Sequence, residues 1–297
     1  MMKKELFAET FQHCFQEIAF HWKHKKWDEK SIFASVGSCF AREMTLLLSG
    51  ASLDIKENPN GILYNPVSIS DALQRVAEMD FYKEEELFLH EGKWHSFFHH
   101  GQFSLPDKNL ALENINKEVL SFHSQLEKAH GIFITLSSAV VYEVKETEKI
   151  AANCHKLPPD VFERRLLSYK ECEESCYKII ESIRKCNKEG IIVFTLSPVR
   201  HYPGEALLNS AGKARVRSVL EDVCDGDKIV YFPAYEIVND SLRDYRFYKE
   251  DLVHISPGAV KIIQDIFLEN CFVPLIREKV RLWRKECARE NHIPRKG

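Results

Sequence analysis

The sequence predicts an α/β protein of three layers, α/β/α, with a parallel sheet covered by helices on both faces. Three observations carry this. Four short runs, IFASV (32–36), GIFITL (131–136), IIVFTL (191–196) and KIVYF (228–232), are largely apolar instead of alternating, as strands buried on both faces are. Helix-length segments separate them, which parallel pairing requires. Polar residues follow each run directly: Gly37-Ser38-Cys39, Ser137-Ser138, Ser197 to His201, and Pro233 to Glu236. In such sheets ligands collect at the carboxyl ends of the strands.

In chain order, IFASV breaks on Gly37 and continues as a helix, CFAREMTLLLS. SISDALQRVAEM (68–79) has a Ser start and helical spacing. LFLHEGKWHSFF (87–98) reads as a hairpin turning at Glu91-Gly92. Residues 110–130 place apolar side chains at 112, 115, 119, 122 and 126, a helical period. Residues 139–155 read as another hairpin, 161–187 as one long helix, and KARVRSVLEDVC (213–224) as a helix. SPGAVKIIQDIFLEN (256–270) has Ser256 as N-cap and Pro257 at the first helical position. Residues 1–30 read as an N-terminal extension and 31–297 as one domain.

The 297 residues carry 41 basic and 44 acidic side chains, a net charge of -3, so no basic excess points to nucleic acid. The N-terminus lacks a sustained apolar run and no window reaches the roughly 18 apolar residues of a membrane span. The nine cysteines are scattered and odd in number, the usage expected of reduced thiols in a cytoplasmic protein. Cys172 and Cys176 share a helix face without a second ligand pair, and His95, His99 and His100 match no common metal spacing, so no metal is expected.

Two local patterns carry chemistry. A strand, a glycine turn and a helix start present Ser38 and Cys39 as adjacent nucleophile candidates. A helix N-terminus lowers a thiol pKa, which favours Cys39; its alternative is packing the strand–helix junction, and Ser38 has a rival role as N-cap. Far downstream, Asp251 and His254 stand three apart, a spacing that lets the carboxylate hold one ring nitrogen and leaves the other outward as a base. Arg200 and His201 follow a strand, placed for a carboxylate or phosphate.

GSCFA (37–41) is the signature of the GSCFA family, which resembles SGNH hydrolases, and NGILYNPVSI (60–69), ANCHKLP (152–158), LSPVRHY (196–202), YFPAYEIV (231–238) and LRDYRFYKEDLVHIS (242–256) resemble that family's blocks in order, over roughly residues 31–272. The resemblance implies an SGNH-like, flavodoxin-like sheet with added hairpins, and a Cys/Ser-His-Asp site. Laid without a gap on the SGNH block Gly-Asp-Ser, Cys39 takes the nucleophile position; with a one-residue slip, Ser38 does. Oxyanion donors implied by the SGNH pattern are Gly61 or Asn65, and Asn153, with His155 beside it. The expected function is acyl transfer, most simply an esterase acting on a small-molecule or carbohydrate acyl group without a required cofactor. A similar capsule-biosynthesis family with Gly-Asn-Cys is associated with coenzyme A, so a transferase using coenzyme A as acyl donor is the alternative. A non-catalytic binding protein on the same scaffold is the third.

Overall fold

The computed structural model describes residues 18–201 and 205–292. Its centre is a five-stranded sheet: β1 (Ile32–Gly37), β2 (Asp54–Glu57), β5 (Gly131–Leu136), β9 (Ile191–Leu196) and β10 (Ile229–Phe232), in the order β2-β1-β5-β9-β10. All four pairings are parallel, including the three among the runs expected to be so. Renumbered along the chain, the order is 2-1-3-4-5, the flavodoxin-like arrangement.

Side chains alternate between two cores. Phe33, Phe133, Val193 and Phe232 pack on one face with α1 (Cys39–Gly50), α6 (Pro257–Cys271) and α7 (Pro274–His292). Ala34, Ile132, Ile134, Ile192 and Phe194 pack on the other with α2 (Pro66–Glu78), α3 (Lys108–Lys128), α4 (Tyr169–Cys186) and α5 (Ala206–Val223). Burial of each such phenylalanine contributes about 2–3 kcal/mol. Trp27 joins the first core edge-on to Phe33 at 5.2 Å, and its backbone is tied on both sides to the α6–α7 junction. Cys172 and Cys176 are buried on the inner face of α4, and the described cysteines are free thiols.

The hairpin β3 (Phe88–His90) to β4 (Lys93–His95) turns on Glu91 and Gly92, both with positive φ, as a type I′ turn requires. A separate three-stranded sheet joins β6 (Val140–Val144), β7 (Lys149–Ala151) and β8 (Phe162–Leu166).

α5 starts at Ala206, seven residues before the expected start, and two other boundaries differ for a local reason. Residues 161–187 are not one helix: 162–166 pair with β6, and α4 begins after Ser168, whose hydroxyl caps Glu171 N while the Glu171 carboxylate accepts from Ser168 N. That reciprocal cap is a helix start, so the residues before it were free to pair as a strand. Likewise α2 starts at Pro66, because the Asn65 side chain accepts from Ser68 N at 2.8 Å and proline suits the first turn.

Candidate active site

In a sheet of this order the connection after β1 runs to β2 on one side and the connection after β5 runs toward β9 on the other, and the crevice between the ends of β1 and β5 is where ligands bind. Gly37-Ser38-Cys39 lies there. Gly37 has φ +141°, and a Cβ on it would stand 2.2 Å from Thr135 O, so only glycine lets β1 end this close to β5. The turn is pinned on three sides: Gly37 N–H donates to Asn58 Oδ1 (2.8 Å), Ser38 N–H to Thr135 O (3.1 Å), and Leu63 N–H to Gly37 O (3.1 Å).

Ser38 and Cys39 then part ways. Ser38 is 0% exposed and its hydroxyl has no partner among the described residues; it sits at the N-cap position without capping. Cys39, the first residue of α1, is half-buried and lines a cavity of 440 Å³ with Phe40, Leu46, Val199 and His254. The N–H groups of Phe40 and Cys39 face its sulphur, and helix starts leave such donors without carbonyl partners. They lower the thiol pKa, but burial raises it by more, so the net shift is upward. This corrects the expectation of a thiol made acidic by its helix terminus: in the free protein Cys39 is protonated at neutral pH.

Asp251 and His254 form the expected pair. His254 Nδ1–H donates to Asp251 Oδ2 at 2.7 Å, and Oδ1 accepts the backbone N–H of Val253 and of His254, each at 2.9 Å. The His254 backbone bond first, then its side chain and the Val253 bond, pull the Asp251 pKa down to about 2, so the carboxylate stays ionised across the useful pH range. The Arg200 N–H bond to Val253 O (2.9 Å) fastens this loop to the segment after β9. His254 Nε2 makes no hydrogen bond to Cys39 or Ser38; His254 and Cys39 meet as walls of the shared cavity.

The residues expected as oxyanion donors are engaged elsewhere. Asn65 is the α2 cap, with Nδ2 on Ser68 Oγ at 3.0 Å. Gly61 N–H donates to Asn58 O at 2.8 Å. Asn153 Oδ1 accepts from His155 N, and His155 packs under the β3–β4 hairpin, bonded to Ser96 O (2.7 Å) and His95 Nδ1 (3.0 Å). None of the four lines the Cys39 cavity. The donors at the Cys39 sulphur are the backbone N–H groups of Cys39 and Phe40. Among the described residues no His, Cys, Asp and Glu side chains group as a metal site.

Arg200 is exposed, its guanidinium 4.8 Å over the Tyr248 ring. His201 turns inward: its Nε2 meets Ser137 Oγ at 2.5 Å and its ring stands edge-on to Tyr64. Burial, then the charges of Lys213 and His254, lower the His201 pKa to about 4, a neutral imidazole at pH 7.

Lys213 is the residue the motifs did not flag. It is 2% exposed, and its Nζ donates to Ser197 O at 2.6 Å, just past β9. Burial lowers its pKa to about 7, opposed by the charge of Cys39. A signal was present: Lys213 sits on the buried stripe of α5 with Gly212, Val216 and Leu220, where a lysine is out of pattern.

No helix among the described residues is long and apolar enough to cross a membrane. No curated protein matches the chain. Among solved structures, it is similar to the lipase Lip_vut3 from a goat rumen metagenome, 11% identical with a TM-score of 0.44 over 83% of this chain and 100% of that one. It is also similar to a carbohydrate esterase family 3 protein from Talaromyces cellulolyticus, 7% identical with a TM-score of 0.38 over 87% and 99%. Likenesses this loose carry nothing about chemistry. The sequence itself is more specific: the turn that sets Cys39 at the head of α1 and the loop that pairs Asp251 with His254 both fall within residues 32–267, the span matched by the model of the GSCFA family, and the chain belongs to that family.

Proposed function

We propose that this protein is an acyl-transfer enzyme working through Cys39, with His254 as its base and Asp251 as the carboxylate that orients His254. The observation that carries the reading is that a half-buried thiol and a carboxylate-bound imidazole open onto one largely apolar cavity at the switch point of the sheet. Ser38, fully buried and absent from the cavity wall, is the poorer candidate.

The chemistry starts from a neutral thiol. His254 Nε2 takes the Cys39 proton as the acyl carbonyl arrives, and the sulphur bonds to the carbonyl carbon. The oxyanion forms at the start of α1, within reach of the N–H groups of Cys39 and Phe40. The C–O bond breaks, and His254 returns the proton to the leaving alkoxide. His254 then deprotonates a water, which adds to the thioester; the acid leaves and Cys39 recovers its proton. Asp251, ionised throughout, holds the imidazolium in each half.

The simplest substrate is a short acyl ester on a small molecule or carbohydrate. A second reading, transfer from coenzyme A to an acceptor hydroxyl in place of water, is favoured by the thiol itself, since thiol–thioester exchange is nearly isoenergetic. Incubation with p-nitrophenyl acetate and butyrate separates these. Release of p-nitrophenol above the level of Cys39→Ala supports the esterase. Thermal stabilisation by coenzyme A, with acetyl-coenzyme A consumed only when an acceptor is supplied, supports transfer. Neither activity in the folded protein overturns both readings.

A further inference from the structure

We propose that the cavity at Cys39 takes a straight hydrocarbon chain of about six to eight carbons, carried by the acyl group that reacts there. The proposal rests on the reading of Cys39 as the residue that accepts the acyl group. The cavity is a trough between two helices that both start at the carboxyl end of the sheet. Its α1 wall runs from Cys39 and Phe40 to Leu46, and its α6 wall, which begins just after His254, from Pro257 through Val260 to Gln264. Each wall is one helix face over seven residues, about 10 Å at 1.5 Å per residue, measured from the reacting pair. Trp283 of α7 closes the far end. It fits there because Gly50, one turn past Leu46, has no side chain: a Cβ would stand 2.3 Å from Trp283 Cε2. Carbon–carbon bonds of about 1.5 Å advance an extended chain by about 1.3 Å each, so about eight carbons fill the trough.

The chemistry of the walls selects hydrocarbon. Phe40, Leu46, Val260 and Trp283 present carbon along the trough, and Leu46, 46% exposed, spreads an apolar side chain over its opening. The polar groups beyond His254 are spent on one another. Gln264 Nε2 donates to Glu43 O (3.0 Å), and its Oε1 accepts from Arg284 (2.7 Å). Arg284 also donates to Asp265 (2.6 Å), and Lys261 pairs with the same carboxylate. The two remaining charges of the wall, Glu43 and Lys249, are exposed. A sugar hydroxyl or a phosphate seated deep in the trough would give up its water without a free partner among these side chains, whereas a methylene gains by leaving water. Of the two halves of an acylated carbohydrate, the acyl half is the one that fits.

Chains can be delivered to Cys39 without any ester chemistry. Methyl, butyl, hexyl, octyl and dodecyl methanethiosulfonates convert a thiol to a mixed disulfide and release methanesulfinate. Labelling is followed at the Cys39 peptide by mass spectrometry, each rate divided by that of glutathione with the same reagent. A fully buried methylene is worth about four-fold and one covered on a single side about two-fold, so the octyl-to-methyl ratio is expected to be about a hundred-fold, with no further gain at dodecyl. Val260→Trp fills the trough one turn in from Pro257 and should move the plateau back to about butyl. Leu46→Asp should cut the octyl-to-methyl ratio about ten-fold or more. Each variant is checked for a cooperative thermal transition, and Leu46→Asp, at an exposed position, carries the comparison should Val260→Trp not fold. A flat series in the wild type overturns the proposal, as does a ratio that climbs through dodecyl and is unmoved by the folded variants. Ester turnover then assigns the chain. The proposal expects kcat/KM on p-nitrophenyl octanoate to exceed that on the acetate, with octyl acetate no better than methyl acetate; the opposite pattern puts the alcohol in the trough and overturns it. Turnover of no ester at all is a different failure: it removes the catalytic reading, and the acyl assignment with it, while the labelling series stands.

Discussion

Lys213→Met should make the protein more stable at neutral pH, and the gain should vanish on going alkaline. The folded state pushes the Lys213 pKa from 10.5 to about 7 by burial. That is a displacement of about 3.5 pH units, which at 1.36 kcal/mol per unit is about 5 kcal/mol against the charged folded state. Methionine has a similar length and no charge, so it removes that term. It also leaves Ser197 O without its lysine partner, a loss of about 1–2 kcal/mol, for a net gain of about 3 kcal/mol at pH 7. The sign follows from proton counting. Between pH 7 and 10.5 the unfolded chain keeps a proton on Lys213 that the folded chain has lost, so the wild type gains about 1.4 kcal/mol per pH unit relative to the variant. The two should cross near pH 9. Urea denaturation at half-unit steps from pH 6.5 to 10 measures the difference directly, since groups common to both chains largely cancel. A difference that stays flat across this range, or a variant less stable at pH 7, would refute the burial of an uncompensated ammonium.

Three further outcomes are expected. Gly37→Ala forces a side chain at φ +141° against Thr135 O, and should lower stability by about 3 kcal/mol or more in chemical denaturation, since backbone on both sides must move. Asn65→Ala should lose about 1 kcal/mol of stability as a helix cap while kcat on a p-nitrophenyl ester stays within about two-fold; a hundred-fold fall would restore it as an oxyanion donor. Asp251→Asn should lower kcat about 10³-fold with KM nearly unchanged, because the imidazole loses the carboxylate that fixes its tautomer and steadies its charge.

The parts of this molecule visible in its sequence are those written locally. The four strands expected to be parallel were legible because each is apolar on both faces, and Asp251–His254 because three residues span the whole interaction. What local sequence does not carry is set by distant packing. Residues 162–166 contain Glu163 and Arg164, good helix formers, yet they pair with β6, where Arg165 meets Glu143. The pKa direction of Cys39 depends on how deeply the switch point is buried, and desolvation there outweighs two backbone donors. Asn65 followed by Pro66 is legible as a helix cap from the two residues alone. Lys213 was readable too, as a lone charge on an apolar helix face, but its acceptor, Ser197 O, lies on another element.

The central claim is that Cys39 carries the acyl group, and the covalent intermediate tests it most directly. The protein is mixed with p-nitrophenyl acetate, quenched in acid within the first turnovers, digested and mapped by mass spectrometry. The account predicts an acetyl group on the peptide containing residues 38 and 39, fragmenting to Cys39, labile to hydroxylamine, accumulating in step with released p-nitrophenol and absent from Cys39→Ala. An acetyl group on Ser38, or undiminished p-nitrophenol release from Cys39→Ala, would contradict it.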